Sequence, residues 1–247
     1  MKPYDPSAEI SLAVRCGFLS RSVWSEFFAN GKDRWQRNVW SRFVIGGLFK
    51  PHYSKRASDL IVPNKDHPLI KKISGGEISH SPSVAQIDHD EIIVRSFLSL
   101  KKQQTILNAK FESELKREDL RTQRDYNPAD KAKYPDLVID VGDQNDSVKI
   151  AIELELSRKE PKRYRQMMNT YMTSKQFSSV IFITNRETVK TSIKSAIRET
   201  FYPEWERPIG FVELDEWIKN PTTAAISVGD EIVTLEKFRD RMSAKAC

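Results

Sequence analysis

The sequence predicts an α/β protein of two parts, in which three helices and a hairpin precede a larger domain built on a mixed sheet. The 247 residues, 39% of them hydrophobic, suffice for one large or two modest domains. The net charge of +6 lies within residues 1–83, which hold 13 Lys and Arg against 7 Asp and Glu. From residue 135 onward, strand and helix patterns alternate, as in a mixed α/β sheet. The two parts are therefore expected to differ in function as well as in fold.

Composition excludes several classes of protein. The two cysteines, Cys16 and Cys247, are too few for a disulfide framework or a cysteine-based zinc site. No apolar run approaches the ~18 residues of a membrane-spanning helix, so no membrane insertion is expected. The first residues, MKPYDPSAEI, carry charge and proline where a signal peptide requires an apolar stretch. The protein is therefore predicted to be cytoplasmic.

Residues 1–75 are predicted to form the three helices and the hairpin. A helix over residues 7–16 ends at Gly17, and Ser20 caps a second helix that Gly31 ends. The third helix, in KDRWQRNVWSRFVIGGLF, buries a stripe at four-residue spacing, formed by Trp35, Val39 and Phe43. Two short extended pieces then flank a basic turn, as in a β-wing.

This order of elements resembles a winged helix-turn-helix, and the local positive charge suits a module that binds nucleic acid. Six basic residues are predicted to contact phosphates; they are Lys32, Arg34, Arg37 and Arg42 on the third helix, and Lys55 and Arg56 in the wing. The alternative is an interaction or dimerisation module, because winged helices also bind proteins. Residues 64–83 mix Pro, Gly and Ser without periodicity and are interpreted as a connector. The predicted domains are residues 1–75, which bind DNA, and residues 76–247.

The second domain is predicted to begin with a helix over residues 84–102, followed by a strand, TILNAKFESEL, and a polar loop. The segment YPDLVIDVGDQNDSVKIAIELELS then predicts two strands joined by a Gly/Asp/Asn turn. A basic helix over 162–173, a strand over 178–185, a helix over 189–200 and a strand over 208–214 complete the expected sheet.

Three acids are expected to converge on this hairpin. Side chains alternate along a strand, so Glu153 and Glu155 share one face, and Ile150, Ile152 and Leu154 share the other. Asp136, directly after Pro135, is expected to lie opposite Glu153. Converging carboxylates repel one another, and a hard cation such as Mg²⁺ relieves that repulsion. The alternative is an exposed sheet face on which the glutamates pair with nearby Lys and Arg.

These residues resemble a known motif. Pro135-Asp136, followed seventeen positions after Asp136 by Glu153-Leu154-Glu155, is similar to the PD-(D/E)xK signature of restriction-endonuclease-like nucleases. Most members have lysine where this chain has Glu155, although some use ExE. With the winged helix, a connecting helix that holds His89 and the segment RYRQMMNTY, the chain resembles the replication-relaxation family and MobC-type relaxases of mobilisable plasmids.

The resemblance implies a metal-dependent endonuclease that nicks one strand of DNA at a plasmid transfer origin, with Mg²⁺ or Mn²⁺ as cofactor. A coupling protein or accessory mobilisation protein would be a further partner. Asp136, Glu153 and Glu155 would form the catalytic metal site, where the Leu154 carbonyl is a further ligand and Glu155 holds or deprotonates the nucleophile. The expected phosphate contacts are Lys159, Lys162, Arg163 and Arg165. The candidate outer ligands are Glu91, Glu112 and Glu114, and the tyrosines considered as nucleophile or as packing residues are Tyr134, Tyr164 and Tyr171.

Two other functions remain open from the sequence. One is a non-catalytic DNA-binding accessory or replication-regulating protein on a nuclease-like fold. The other is a restriction or repair nuclease that acts on ordinary duplex DNA. The three acids favour an enzyme, because an inactive site has no need to retain carboxylates that repel one another.

Overall fold

The computed structural model describes residues 4–29, 33–52, 59–122, 134–143, 146–173, 176–200 and 208–243. The chain divides into two compact units, Met1–Val94 and Arg95–Cys247. The assignment of DNA binding to residues 1–75 and of chemistry to residues 76–247 stays a prediction. In the described ranges, none of the helices combines the length and the apolar character that crossing a bilayer requires.

The first unit contains short helices and a small antiparallel sheet. Its helices are α1 (Ser7–Cys16), α2 (Arg21–Phe27), α3 (Asp33–Ile45) and α4 (Pro68–Ser74). Its strands are β1 (Leu19–Ser20), β2 (Phe49–Pro51) and β3 (Leu60–Pro63), in the sheet order β1-β3-β2. The predicted end of α1 and start of α2 are confirmed: Gly17 adopts the left-handed conformation after α1, and the Ser20 side chain accepts a hydrogen bond from Val23 N–H. Helix α2 ends at Phe27, earlier than predicted, and Gly31 lies outside the described residues.

Aromatic side chains form the core of the first unit around the fully buried Trp24. Four rings lie against Trp24 or against one another, and these are Trp35, Trp40, Phe43 and Phe49. Val39 and Phe43 are buried as the four-residue spacing predicts, and Trp40 is buried beside them. The opposite face of α3 consequently carries polar residues, with the exposed Ile45 at the end of the helix.

One carboxyl group is buried in this aromatic core. Glu9 is 2% exposed, and its Oε1 accepts hydrogen bonds from the hydroxyl of Tyr4 and from Trp24 Nε1, the latter at 3.2 Å. Burial raises the pKa of Glu9 above its ordinary value of 4.5, and its hydrogen bonds offset this only in part. An acid whose pKa is higher in the folded than in the unfolded chain favours folding while it is protonated. This stabilisation is lost as the pH rises from 4.5 through the pKa of the folded state.

Glu9→Gln is therefore expected to raise the melting temperature at pH 7, because glutamine keeps the acceptor oxygen and removes the buried charge. The melting temperature of the variant should also fall less than that of the wild type as the pH rises from 4 to 7. Thermal unfolding followed by tryptophan fluorescence measures both effects, with exposed Glu26→Gln on α2 as the control. A Glu9→Gln protein that melts lower than the wild type at pH 7 would contradict this account.

Residues 64–83 differ from the connector that the sequence predicts, because they contain α4. Pro68 occupies the first turn of α4, the His67 ring accepts a hydrogen bond from Leu69 N–H at 3.2 Å, and Gly75 ends the helix in the left-handed conformation. Ile70 is fully buried, and α4 packs against α1. The helix is too short for a periodic apolar pattern, so its capping residues are the only local signal.

Helix α5 (Ile87–Lys102) includes the last residues of the first unit and the first residues of the second. A mixed sheet forms the centre of the second unit. The strands are β4 (Ile106–Phe111), β5 (Leu137–Gly142), β6 (Ser147–Glu155), β7 (Ser179–Thr184), β8 (Ile209–Glu213), β9 (Ile226–Val228) and β10 (Glu231–Val233). The helices are α6 (Glu112–Thr122), α7 (Pro161–Thr173), α8 (Glu187–Thr200), α9 (Leu214–Lys219) and α10 (Leu235–Ser243). Within the described residues the sheet has seven strands in the order β10-β9-β8-β7-β6-β5-β4.

The central strands β6, β7 and β8 are parallel, β5 and β9 pair antiparallel with β6 and β8, and the edge strands β4 and β10 pair antiparallel with β5 and β9. The predicted hairpin and the two helix–strand repeats that follow it are confirmed. Side chains of α7 and α8 cover the sheet face that carries Ala151, Val180 and Phe182. Helix α10 packs against β5 and β6, and Trp217 of α9 donates a hydrogen bond to Ser96 of α5 at 2.8 Å. Helices therefore enclose the central strands, which explains their continuous burial.

The strand expected over TILNAKFESEL is only half correct, because β4 ends at Phe111 and α6 begins at Glu112. The carboxylate of Glu114 accepts the backbone N–H of Phe111 at 2.9 Å, which is one half of a capping box. This cap ends the strand where period-two alternation alone would continue it. Glu112 and Glu114 therefore lie in the first turn of a helix.

Candidate functional site

The hairpin register places Asp136 opposite Glu153. Leu137 of β5 pairs with Ile152 of β6, and continuing the antiparallel pairing by one residue brings Asp136 level with Glu153. Gly142, at the other end of β5, has φ +131°, and a Cβ atom there would collide with the carbonyl of Asp146. The turn therefore requires glycine, and the turn determines the register on which the site depends.

Asp136 lies at the entry to β5, half-buried between two strands. The backbone N–H of Leu154 donates a hydrogen bond to Asp136 Oδ2 at 2.8 Å, and the Asp136 carbonyl accepts the N–H of Glu112 at 3.1 Å. These bonds attach the residue to β6 on one side and to the start of α6 on the other. Its carboxylate is therefore held at the carboxyl end of β6.

Glu153 and Glu155 are buried, in contrast to the exposed sheet face that was the alternative expectation. Glu153 is 0% and Glu155 1% exposed, and both lie on the face that α7 and α8 cover. Their neighbours across the parallel pairing with β7 are Phe182 and Thr184. The Oγ1 atom of Thr184 is buried and has no hydrogen-bond partner among the described residues. Polar groups of three strands thus meet at one end of the sheet.

Lys159 forms an ion pair with the buried Glu155 through Nζ and Oε1. The backbone N–H of Lys159 donates a hydrogen bond to the hydroxyl of Tyr164 at 3.1 Å, and that hydroxyl lies 3.4 Å from the carbonyl oxygen of Ser157. Burial raises the pKa of Tyr164. The turn between β6 and α7 is therefore tied to the first helical turns of α7.

A site with all three acids as metal ligands stays a prediction. Over the described ranges, no three His, Cys, Asp or Glu side chains are gathered in an arrangement that could hold one ion. Asp136 and Glu153 nevertheless fit a Mg²⁺ ion, which keeps several waters and often takes only one or two protein carboxylates. Thr184, with its orphaned hydroxyl on the next strand, leaves polar capacity beside them.

The candidate outer ligands are engaged elsewhere. Glu91 belongs to the first unit, where it accepts a hydrogen bond from the Ser22 hydroxyl at 2.5 Å. Glu112 pairs with Lys116 at 2.7 Å, and Glu114 caps the end of β4. These contacts occupy the carboxylates of all three glutamates away from Asp136 and Glu153.

The tyrosines of α7 are fully buried. Tyr164 holds the turn before its helix, and Tyr171 packs edge-on against Phe177 in the core between α7, α8 and the sheet. A phosphodiester group cannot reach a side chain with no exposed surface. The burial supports the packing interpretation for both, while Tyr134, beside the motif, is half-buried.

The basic residues of α3 lie on its exposed face. Arg34, Arg37 and Arg42 are exposed together with Asn38 and Ser41, at the spacings of three and four residues that place them on one side of a helix. None of these three arginines forms an ion pair with another residue in the described part of the chain. The other predicted contacts of this unit, Lys32, Lys55 and Arg56, lie outside the described residues.

The predicted contacts on α7 differ in their surroundings. Lys162 and Arg163 are exposed in the first turn. Arg165 forms an ion pair with Glu199 of α8 at 2.6 Å, and this interaction lowers the pKa of Glu199. A phosphate would have to compete with Glu199 for Arg165, so Lys162 and Arg163 are the more accessible pair.

Sequence reasoning missed Thr184 and the contact between Lys159 and Glu155. Thr184 ends an apolar strand, SSVIFITN, where a single hydroxyl gives no periodic signal. Lys159 lies four residues after Glu155, but the intervening chain is an irregular turn, so strand alternation cannot predict that the two meet.

Comparison with known proteins gives little further information. No protein-family model matches the sequence, and no curated protein matches it. A solved structure of the restriction endonuclease FokI bound to DNA is similar over 96% of this chain and 46% of that chain, with 10% identity and a TM-score of 0.29. The chain spans about half the length of that protein. With so low a TM-score, any function must be argued from the residues themselves.

Proposed function

We propose that this chain is a divalent-metal-dependent DNA endonuclease, in which the first unit binds duplex DNA and the second cleaves a phosphodiester bond. The observation that carries the proposal is the hairpin register that sets Asp136 opposite the fully buried Glu153. Two carboxylates set opposite each other repel, and a divalent cation between them would offset both charges, so the arrangement favours a bound cation. Lys162 and Arg163, in the turn of α7 that follows, supply positive charge for a polyanionic substrate.

The first unit supports DNA as the substrate. We infer that this unit is a winged helix-turn-helix, because three helices precede strands β2 and β3 of its small sheet and α3 presents Arg34, Arg37 and Arg42 on its open face. Polar Asn38 and Ser41 lie between these arginines, as expected of a helix that reads base edges as well as phosphates.

Each acid has a part in the proposed chemistry. Asp136 and Glu153 would hold Mg²⁺ or Mn²⁺, with the Leu154 carbonyl as a further candidate ligand. When bound, the ion would act as a Lewis acid on the phosphoryl oxygen and lower the pKa of a coordinated water. The Leu154 N–H orients Asp136, and the core under α7 and α8 keeps bulk water from Glu153. Glu155 completes the site together with Lys159.

We extend the proposal to nicking at a plasmid transfer origin by a MobC-type relaxase of the replication-relaxation family, acting in the cytoplasm with a coupling or accessory mobilisation protein. The resemblance of Asp136 and Glu153-Leu154-Glu155 to the PD-(D/E)xK motif supports this, as does the basic N-terminal unit. A second candidate is a non-catalytic DNA-binding protein. The absence of a three-acid cluster from the described residues favours that candidate.

The test is to incubate the purified protein with supercoiled plasmid carrying its cognate mobilisation region, in Mg²⁺, Mn²⁺ or EDTA. We expect open circles with either metal, none with EDTA, and none from a matched plasmid that lacks the region. DNA binding without nicking would establish the accessory protein instead. Linearisation of both plasmids would indicate a nuclease that acts on ordinary duplex DNA.

A further inference from the structure

The ion pair between Lys159 and Glu155 joins groups of very different exposure. Glu155 is 1% exposed, and the Lys159 side chain is 26% exposed. The ammonium group of Lys159 therefore lies between the buried Glu155 carboxylate and the solvent. The pair stands at the carboxyl end of β6, on the same face as Glu153 and next to Thr184.

Two contacts hold Lys159 in place, one through its backbone and one through its ammonium group. Its backbone N–H is bonded to the hydroxyl of the fully buried Tyr164, and its Nζ reaches Glu155. A surface lysine ordinarily samples many rotamers and contributes little through an exposed ion pair. Here the backbone anchor and the buried partner restrict those rotamers, so the ammonium has a defined position beside Glu155.

The hydrogen-bonding capacity of the ammonium exceeds what Glu155 uses. A lysine ammonium has three donors, and the bond to Glu155 Oε1 takes one of them. The remaining donors lie on a partly exposed group beside Glu155, which is two residues from Glu153 on the same face of β6. A phosphate oxygen, which is an anionic acceptor, is the natural partner for such donors.

The charge balance also favours a contact between Lys159 and a phosphate. Three carboxylates at this end of the sheet would together repel a phosphodiester unless cations offset their charge. One ammonium and one divalent cation offset those charges. If Glu155 were instead a ligand of the cation, its two oxygens would be shared between the metal and Lys159, and the ammonium would be held close to a divalent cation that repels it.

We propose that Lys159 is a catalytic residue that contacts the scissile phosphodiester, and that Glu155 is its positioning residue and not a metal ligand. This inference rests on the proposed endonuclease function and assigns roles within that site. The metal is then held by Asp136 and Glu153 alone among the three acids.

The inference makes different predictions for two measurements. One is Mn²⁺ binding to the protein without DNA, and the other is the kinetic constants of nicking. Glu155→Gln is expected to leave the Kd for Mn²⁺ within about twofold of the wild type, whereas Glu153→Gln removes binding. Lys159→Met is expected to lower kcat about 100-fold with KM nearly unchanged, the usual scale for removing one group that stabilises transition-state charge. Lys159→Arg should restore a substantial part of kcat, which a packing role would not.

A matched control is available on α6. Lys116 and Glu112 form another pair at four-residue spacing, 2.7 Å apart, but both side chains are well exposed. Lys116→Met removes the ammonium of this exposed pair and should alter neither constant. The double variant Lys159→Met/Glu155→Gln leaves no uncompensated buried charge, so it should fold even if Lys159→Met does not. It should have the kcat of the Lys159→Met protein, because Glu155 acts only through Lys159.

Loss of Mn²⁺ binding in Glu155→Gln comparable to that in Glu153→Gln would make Glu155 a ligand and overturn the inference. Wild-type kcat in the folded double variant would equally exclude Lys159 from the reaction. A wild-type protein that neither nicks DNA nor binds Mn²⁺ would instead refute the endonuclease function itself. The metal titration needs no substrate, so these failures are distinguishable.

Discussion

Glu153→Gln is expected to lower metal-dependent nicking by more than about 100-fold and to leave duplex affinity within about twofold of the wild type. Loss of a group that merely orients a metal ligand costs about 10- to 100-fold, and loss of a ligand should cost at least as much. Glutamine has nearly the same shape, so the packing beneath α7 and α8 is preserved. Conversion of supercoiled to open-circular plasmid gives the rate, and fluorescence anisotropy with a labelled duplex gives the affinity.

Asp140→Asn is the matched control, because Asp140 of β5 lies on the same face as Asp136 but four residue pairs further along the hairpin. It pairs in register with Lys149, and its side chain borders a separate cavity of about 290 Å³. Nicking by this variant should equal that of the wild type. The metal-free Glu153→Gln protein should also melt at a higher temperature than the wild type, because it no longer buries a carboxylate. Wild-type nicking by Glu153→Gln would eliminate the site and the main argument for an enzyme.

Charge reversal at Arg34 and Arg37 is expected to weaken duplex binding by about tenfold or more at 0.1 M salt and to change its salt dependence. Removal of one phosphate-binding cation reduces the slope of log K against log salt by about 0.9, so the slope of the double variant should be smaller by about 1.8. Both side chains are on the open face of α3 and pack against nothing in the aromatic core, so the fold should be unaffected. Anisotropy titrations over a range of salt concentrations measure affinity and slope together.

Reversal of Lys71 and Lys72 provides the control with the same change of net charge. Both are exposed on α4, in the same unit and outside the predicted DNA-binding surface. Weaker binding confined to the α3 variant would assign DNA binding to that helix. Equally weakened binding in both variants would mean that only the overall charge matters, and unchanged binding in both would remove α3 from the DNA interface.

The parts of the fold that depend on local chemistry could be predicted from the sequence. Gly17 and Ser20 mark helix ends because a left-handed residue and a side-chain cap act within a few residues. The hairpin and the shared face of Glu153 and Glu155 follow from a glycine-containing turn and period-two alternation. The end of β4 and the start of α4 could not be predicted, because a single capping side chain overrides a weak periodic pattern at each. The cap is the Glu114 carboxylate at the end of β4 and the His67 ring at the start of α4.

The burial of the two glutamates could not be predicted in the same way. Strand alternation gives the face on which a side chain lies, but whether that face meets water depends on what covers it. Here α7 and α8 cover it, with Tyr164 and Met168 packed beside Ala151. This packing removes both carboxylates from the solvent that alternating acids usually face, and Glu155 reaches a partly exposed cation only through Lys159.

Local patterns in the amino-acid sequence suffice for the identity of the three acids, their register on the hairpin and the basic face of α3, because each follows from backbone periodicity or from a turn of a few residues. The burial of Glu153 and Glu155, the packing role of Tyr164 and Tyr171, and the reach of Lys159 to Glu155 depend instead on the folded chain. Those features require contacts between α7, α8 and the sheet. Such contacts arise from the packing of elements distant in the chain, which no local pattern encodes.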